Sequence, residues 1–155
     1  MRAPTHPAPN MPRLFELGDA LVEEAEMTPS GELTPEDLEA FAESEDHRLL
    51  DVWIAAGLHP EVRVARAHDV AFGVCVGRCQ LWGAAPVLES LLALSEVRAA
   101  AGQQTFDVVT RGCLNRCEHA PFVAVSTPDG VFGVGQASPD SVAAAVAHVM
   151  GDEDN

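Results

Sequence analysis

The chain has 155 residues, 47% of them hydrophobic, which is enough apolar material for one domain with its own core. Its formal charge of -15 and complete lack of lysine argue against nucleic acid and anionic membrane as partners, since both are bound mainly through Lys and Arg. No apolar run approaches the ~20 residues of a membrane-spanning helix, and the first ten residues are proline-rich rather than apolar. Neither membrane insertion nor a secretory signal is therefore expected, and the expected location is cytoplasmic.

Residues 1–12 carry four prolines and no apolar period, and are expected to form a disordered tail. Helical spacing begins with Leu14, Leu17, Leu21 and Ala25. Thr34-Pro-Glu-Asp37 then supplies an N-cap, a first-turn proline and an acid three residues on, ahead of Leu38 and Phe41. A third run, Leu49, Leu50, Val52, Trp53 and Ala56, ends at Gly57 and Pro60 and is expected as an amphipathic helix. Residues 13–62 thus read as a small acidic helical annex, into which most acids crowd, from Glu16 to Asp51. Between Arg63 and Arg116 the balance reverses, with six arginines against four acids.

From Ala67 strands and helices alternate. Val70–Cys75 reads as a buried strand, Pro86 opens a helix bearing Leu88, Leu91 and Leu92, and Gly102 closes it before a strand at Thr105–Thr110. Phe122–Val125 and Val131–Val134 flank Thr127-Pro-Asp-Gly130, whose turn chemistry predicts an antiparallel hairpin. Ser138-Pro-Asp-Ser141 caps a last helix with Val142, Val146 and Val149 on one face. The expected fold is α/β: a thioredoxin-like mixed four-stranded sheet in the order β-α-β-β-β-α over residues 67–150, preceded by the annex.

The four cysteines stand in two identical frames, Cys75-Val-Gly-Arg-Cys79 and Cys113-Leu-Asn-Arg-Cys117. Each frame follows a predicted strand. If those strands are parallel through a right-handed crossover, both loops leave the same sheet edge, where open α/β sheets place their sites. In a reducing compartment, paired short spacings read as metal ligands before disulfides, and four thiolates complete the shell of either an iron-sulfur cluster or zinc. Spacing alone leaves both metals open. A thiol-disulfide oxidoreductase would need Cys-x-x-Cys, which neither frame has.

The run Cys113-Leu-Asn-Arg-Cys117-Glu-His-Ala-Pro121, followed by an apolar strand, resembles the Cys-x-x-x-Cys-x-x-Ala-Pro segment of thioredoxin-like 2Fe-2S ferredoxins. Cys79-Gln-Leu-Trp-Gly83, Gly133 and Ser138-Pro-Asp140 fit the same family, which includes the small iron-sulfur subunit of NADH:quinone oxidoreductase. One departure is the three-residue gap between Cys75 and Cys79, where those subunits usually have four. The resemblance implies a 2Fe-2S cluster held by Cys75, Cys79, Cys113 and Cys117, with zinc as the rival occupant. It implies a single-electron carrier or subunit that exchanges electrons with a larger redox enzyme as its protein partner, and it allows a homodimer. The alternatives are a zinc-stabilised interaction module and an iron-sulfur sensor or cluster-transfer protein.

Around the thiols, Gly77 and Gly112 would admit backbone N–H groups to sulfur, and Arg78 and Arg116 would offset negative charge or simply be solvated. A full thiolate shell leaves His119 no ligand role, and Pro121 matches the cis-proline position of thioredoxin folds. Trp53 and Trp82 are expected in the core, with Trp82 also close enough to shield the centre. No Gly-rich phosphate loop and no nucleophile-base pair is present, so no independent catalysis is expected.

Overall fold

The computed structural model describes residues 2–152. Three helices come first: α1, Met11–Glu26; α2, Pro35–Ser44; and α3, Leu49–Leu58. Their starts follow from local chemistry. The Asn10 side chain accepts from Arg13 N at the head of α1, and Thr34 and Asp37 close a reciprocal capping box on α2, at 3.1 and 2.9 Å.

The sheet comprises β1, Ala71–Cys75; β2, Asp107–Arg111; β3, Val123–Thr127; and β4, Gly130–Val134. Helix α4, Ala84–Ala100, connects β1 to β2, and α5, Pro139–Val149, follows β4. The strand order is β2-β1-β3-β4, with β1 parallel to β2 and antiparallel to β3, and β3 antiparallel to β4. This is the expected thioredoxin-like arrangement. Helix α4 begins two residues before Pro86, because Gly83 in the left-handed region (φ +99°) turns the chain out of a 3₁₀ turn at Arg78–Trp82 directly into the helix.

Registered pairs share a face of the sheet, so Phe72, Val74, Val108, Thr110, Val123 and Val125 form one row, and all six are buried. Their alternates Gly73, Val109, Ala124 and Ser126 are only half-buried. Helix α3 lies on the buried row beside β2: Thr110 Oγ1 donates to Trp53 O at 2.8 Å, and Trp53, Leu92 and Val108 line one 340 Å³ cleft.

The expected amphipathic stripe on α3 is therefore corrected. Val52 through Ala56 are buried without interruption, because α1 and α2 pack against the helix from outside while β2 and α4 meet it from inside. The annex is accordingly part of one continuous core that runs from Leu14 to Val146.

The tail is corrected too. Residues 2–10 form a strap without regular secondary structure that bonds to the 3₁₀ turn: Thr5 N and His6 N both donate to Leu81 O, at 2.9 and 3.0 Å, and Trp82 Nε1 donates to Ala3 O at 3.1 Å. Its prolines restrict the free chain, which lowers the entropy lost on docking. Proline-rich composition without apolar period signalled disorder, and backbone acceptors in such a segment have no signature in sequence. Among the described residues no helix is long and apolar enough to cross a membrane.

Candidate metal centre

Cys75 ends β1, and Cys79 sits one turn later in the 3₁₀ turn, where Gln80 N bonds to Gly77 O at 3.1 Å. Both sulfurs belong to buried residues, 3% and 1% exposed. Gly112 and the second frame leave the adjacent end of β2, and the two loops are stitched together where Val76 N donates to Arg111 O at 2.8 Å. The parallel pairing of β1 and β2 thus brings both frames to one edge, as the element order predicted.

The loops touch with no side chain between them. A Cβ on Gly77 would fall on the carbonyl oxygen of Gly112, and Cys75 Sγ lies 3.9 Å from that same oxygen. Behind Gly112 stands the end of α3: a Cβ there would be 3.5 Å from Gly57 O. Gly57 in turn is pressed onto Thr110 and Val76, whose side-chain atoms would lie 2.6 and 2.8 Å from an added Cβ. Three glycines therefore let α3, the β2 loop and the β1 loop stack backbone on backbone.

Cys75 and Cys79 share a hydrogen bond, with a clear polarity. The Cys79 thiol is the main influence holding Cys75 below the usual thiol range, at about 6. Burial opposes this, while the backbone N–H groups of Gly77, Leu114 and Cys79 add to it. Cys79 is pushed well above the usual range by the same bond, then by burial and by the charges of Cys75 and Cys117, with the Phe122 N–H pulling the other way. These influences also locate the residues: Cys117 lies within electrostatic reach of Cys79, and Leu114, next to Cys113, reaches Cys75.

Cys113 is exposed on a turn in which Asn115 adopts the left-handed region (φ +57°), a conformation asparagine tolerates, and directs its N–H to Cys113 Sγ at 3.3 Å. Cys117 is intermediate in exposure. Among the described residues no three Cys, His, Asp or Glu side chains are gathered closely enough to hold an ion. The donor chemistry nevertheless suits a soft metal centre: four unpaired thiols on two touching loops, with backbone N–H groups directed at the sulfurs of Cys75, Cys79 and Cys113.

No protein-family model and no curated protein matches the chain. Among solved structures it is similar to the wild-type thioredoxin-like 2Fe-2S ferredoxin from Aquifex aeolicus, at 25% identity over 57% of this chain and 91% of that one, with a TM-score of 0.47. A second structure of a thioredoxin-like 2Fe-2S ferredoxin from Aquifex aeolicus shows 28% identity over 57% of this chain and 86% of its own, also with a TM-score of 0.47. A serine-for-cysteine variant of that ferredoxin gives 26% identity over 54% and 90%, with a TM-score of 0.46.

The residues flanking the thiols divide. Gly77 does supply an N–H to sulfur, as expected. Arg116 donates instead to Asn115 O at 3.1 Å within its own loop, and Arg78 is exposed. His119 is exposed, its ring 3.8 Å from the Glu118 carboxylate. The Ala120-Pro121 peptide is cis. Trp82 is buried, with the Arg2 guanidinium 5.8 Å above its ring, and Arg2 also donates to Ala120 O. Leu114, Phe122 and Arg2 had no motif to announce them; only the demand of a buried indole N–H for a partner pointed toward something covering Trp82.

Access should govern thiol chemistry here. With metal removed, iodoacetamide is expected to label Cys113 first and Cys117 next, with Cys75 and Cys79 at least ~10-fold slower because they must wait for local opening. Peptide mass spectrometry over time checks the order, and early labelling of Cys79 would contradict the burial seen here.

Proposed function

We propose that the chain carries one 2Fe-2S cluster on Cys75, Cys79, Cys113 and Cys117 and passes single electrons to and from a larger redox protein. What supports this most is the seating of two touching thiol loops at the shared edge of β1 and β2, with backbone N–H groups directed at sulfur. The Cys113–Pro121 motif supplies the second support. When bound, the cluster would cycle between two states one electron apart.

The chain's own residues would do the rest. The N–H groups of Gly77, Leu114 and Phe122 would offset the negative charge that four thiolates bring, which favours reduction. Trp82 and the buried side of the first frame would keep water from one flank, while the exposed second frame would form the approach for a partner. That partner is read as an oxidoreductase or reductase, of the kind exemplified by NADH:quinone oxidoreductase, with no independent catalysis in this chain.

Purification without oxygen tests the proposal. A red-brown protein with two irons and two inorganic sulfides per chain, giving an EPR signal after one-electron reduction, is the expected outcome. A colourless protein with one zinc per chain would overturn it in favour of a structural metal site.

A further inference from the structure

The strap crosses both thiol loops rather than one. On the first, Ala3, Thr5 and His6 hold the 3₁₀ turn at Leu81 and Trp82, two and three residues past Cys79, and the His6 ring lies against Gly83. On the second, Arg2 bonds to Ala120 O, three residues past Cys117. The same guanidinium stands over Trp82, which closes the bridge between the loops. Beneath it is a cavity of about 640 Å³ lined by Arg2, Arg78, Trp82, Cys117, Glu118 and Gln136.

We infer that residues 2–6 are a clasp that holds the two thiol loops together and limits access of solvent to the centre from its Cys117 side, with Arg2 and Trp82 as positioning residues. The inference rests on the metal centre read above. Its physics is that each contact closes a different segment onto the strap: the backbone bonds hold the first loop, and, among the described residues, Arg2 ties the second. Loss of Arg2 should therefore open the bridge while leaving the fold intact, because the strap residues from Arg2 to Ala8 are exposed and contribute nothing to the core.

The test uses the full chain as purified, with Arg2→Gln, and with Arg2→Lys as the conservative variant that keeps charge and donor. Hydrogen-deuterium exchange is read at the Thr5 and His6 amides, and the centre is read by the rate at which metal passes to EDTA. Arg2→Gln is expected to speed both by at least about fivefold, the lower end of what losing one cation–π contact and one hydrogen bond gives, and Arg2→Lys to recover part of each. The clasp is overturned if Thr5 and His6 exchange freely in the parent chain, or if metal release is unchanged in Arg2→Gln. Zinc in place of iron would sink the electron-transfer reading but leave this test intact, since EDTA takes either metal. Should the chain hold no metal at all, alkylation of Cys79 replaces metal release, and an unchanged rate in Arg2→Gln then rejects the clasp.

Discussion

Cys79→Ala is expected to abolish the cluster while sparing the fold. Cys79 is the most deeply buried of the four thiols, lies beside Cys75, and falls within reach of the charge on Cys117. Losing it leaves three thiolates where a 2Fe-2S cluster requires four ligands. Iron bound per chain should fall to background, a larger loss than follows removal of a supporting contact to a metal ligand. Only a thiol is removed from a small buried residue, so far-UV circular dichroism should be unchanged. His119→Ala serves as the counterpart: its ring is exposed and lies 3.8 Å from the Glu118 carboxylate, so iron content should stay at the parent level. Full iron occupancy in Cys79→Ala, or its loss in His119→Ala, would remove Cys79 from the ligand set or bring His119 into it.

The second large effect is expected from Gly77→Ala, a residue that binds nothing through a side chain. The added Cβ would collide with the Gly112 carbonyl, and neither loop can retreat. The first is held by the Val76–Arg111 bond, and the second has Gly57 and Leu58 of α3 directly behind it. Overpacking between backbones costs roughly 1–3 kcal/mol or more, equivalent to a fall in Tm of at least ~3 °C for a chain of this size. Cluster yield should fall with it, because the collision forces apart the two loops that carry the thiols. Gly57→Ala makes the informative comparison, since it meets the side chains of Thr110 and Val76, which can shift in part. It should cost stability without the same loss of cluster. Parallel thermal melts and iron assays decide, and an unchanged Tm together with full cluster yield in Gly77→Ala would refute the stacked-glycine geometry.

Much of this architecture was legible because it depends on local rules. The capping box at Thr34, the Thr127–Gly130 hairpin and the Ser138 cap each satisfy their backbone groups within four residues, so composition at fixed offsets was enough to find them. The placement of the two cysteine frames after β1 and β2 was legible for the same reason, through the strand patterns that precede them. Helix α3 misled because a periodic pattern records which residues are apolar and not how many sides are covered; a helix packed from two directions has no polar stripe to read. The strap misled because its bonds use backbone carbonyls and one arginine, groups that carry no pattern.

By itself, then, the sequence determined the elements, their order, and the presence of two thiol frames after two strands, all of which rest on interactions between near neighbours in the chain. Tertiary structure alone decided how those frames meet. It set the contact of Gly77 with Gly112, the polarity of the Cys75–Cys79 pair, the exposed position of Cys113, and the crossing of both loops by residues some eighty and more positions earlier. Such contacts join segments far apart along the chain, and their free energy comes from packing and desolvation that no local spacing encodes.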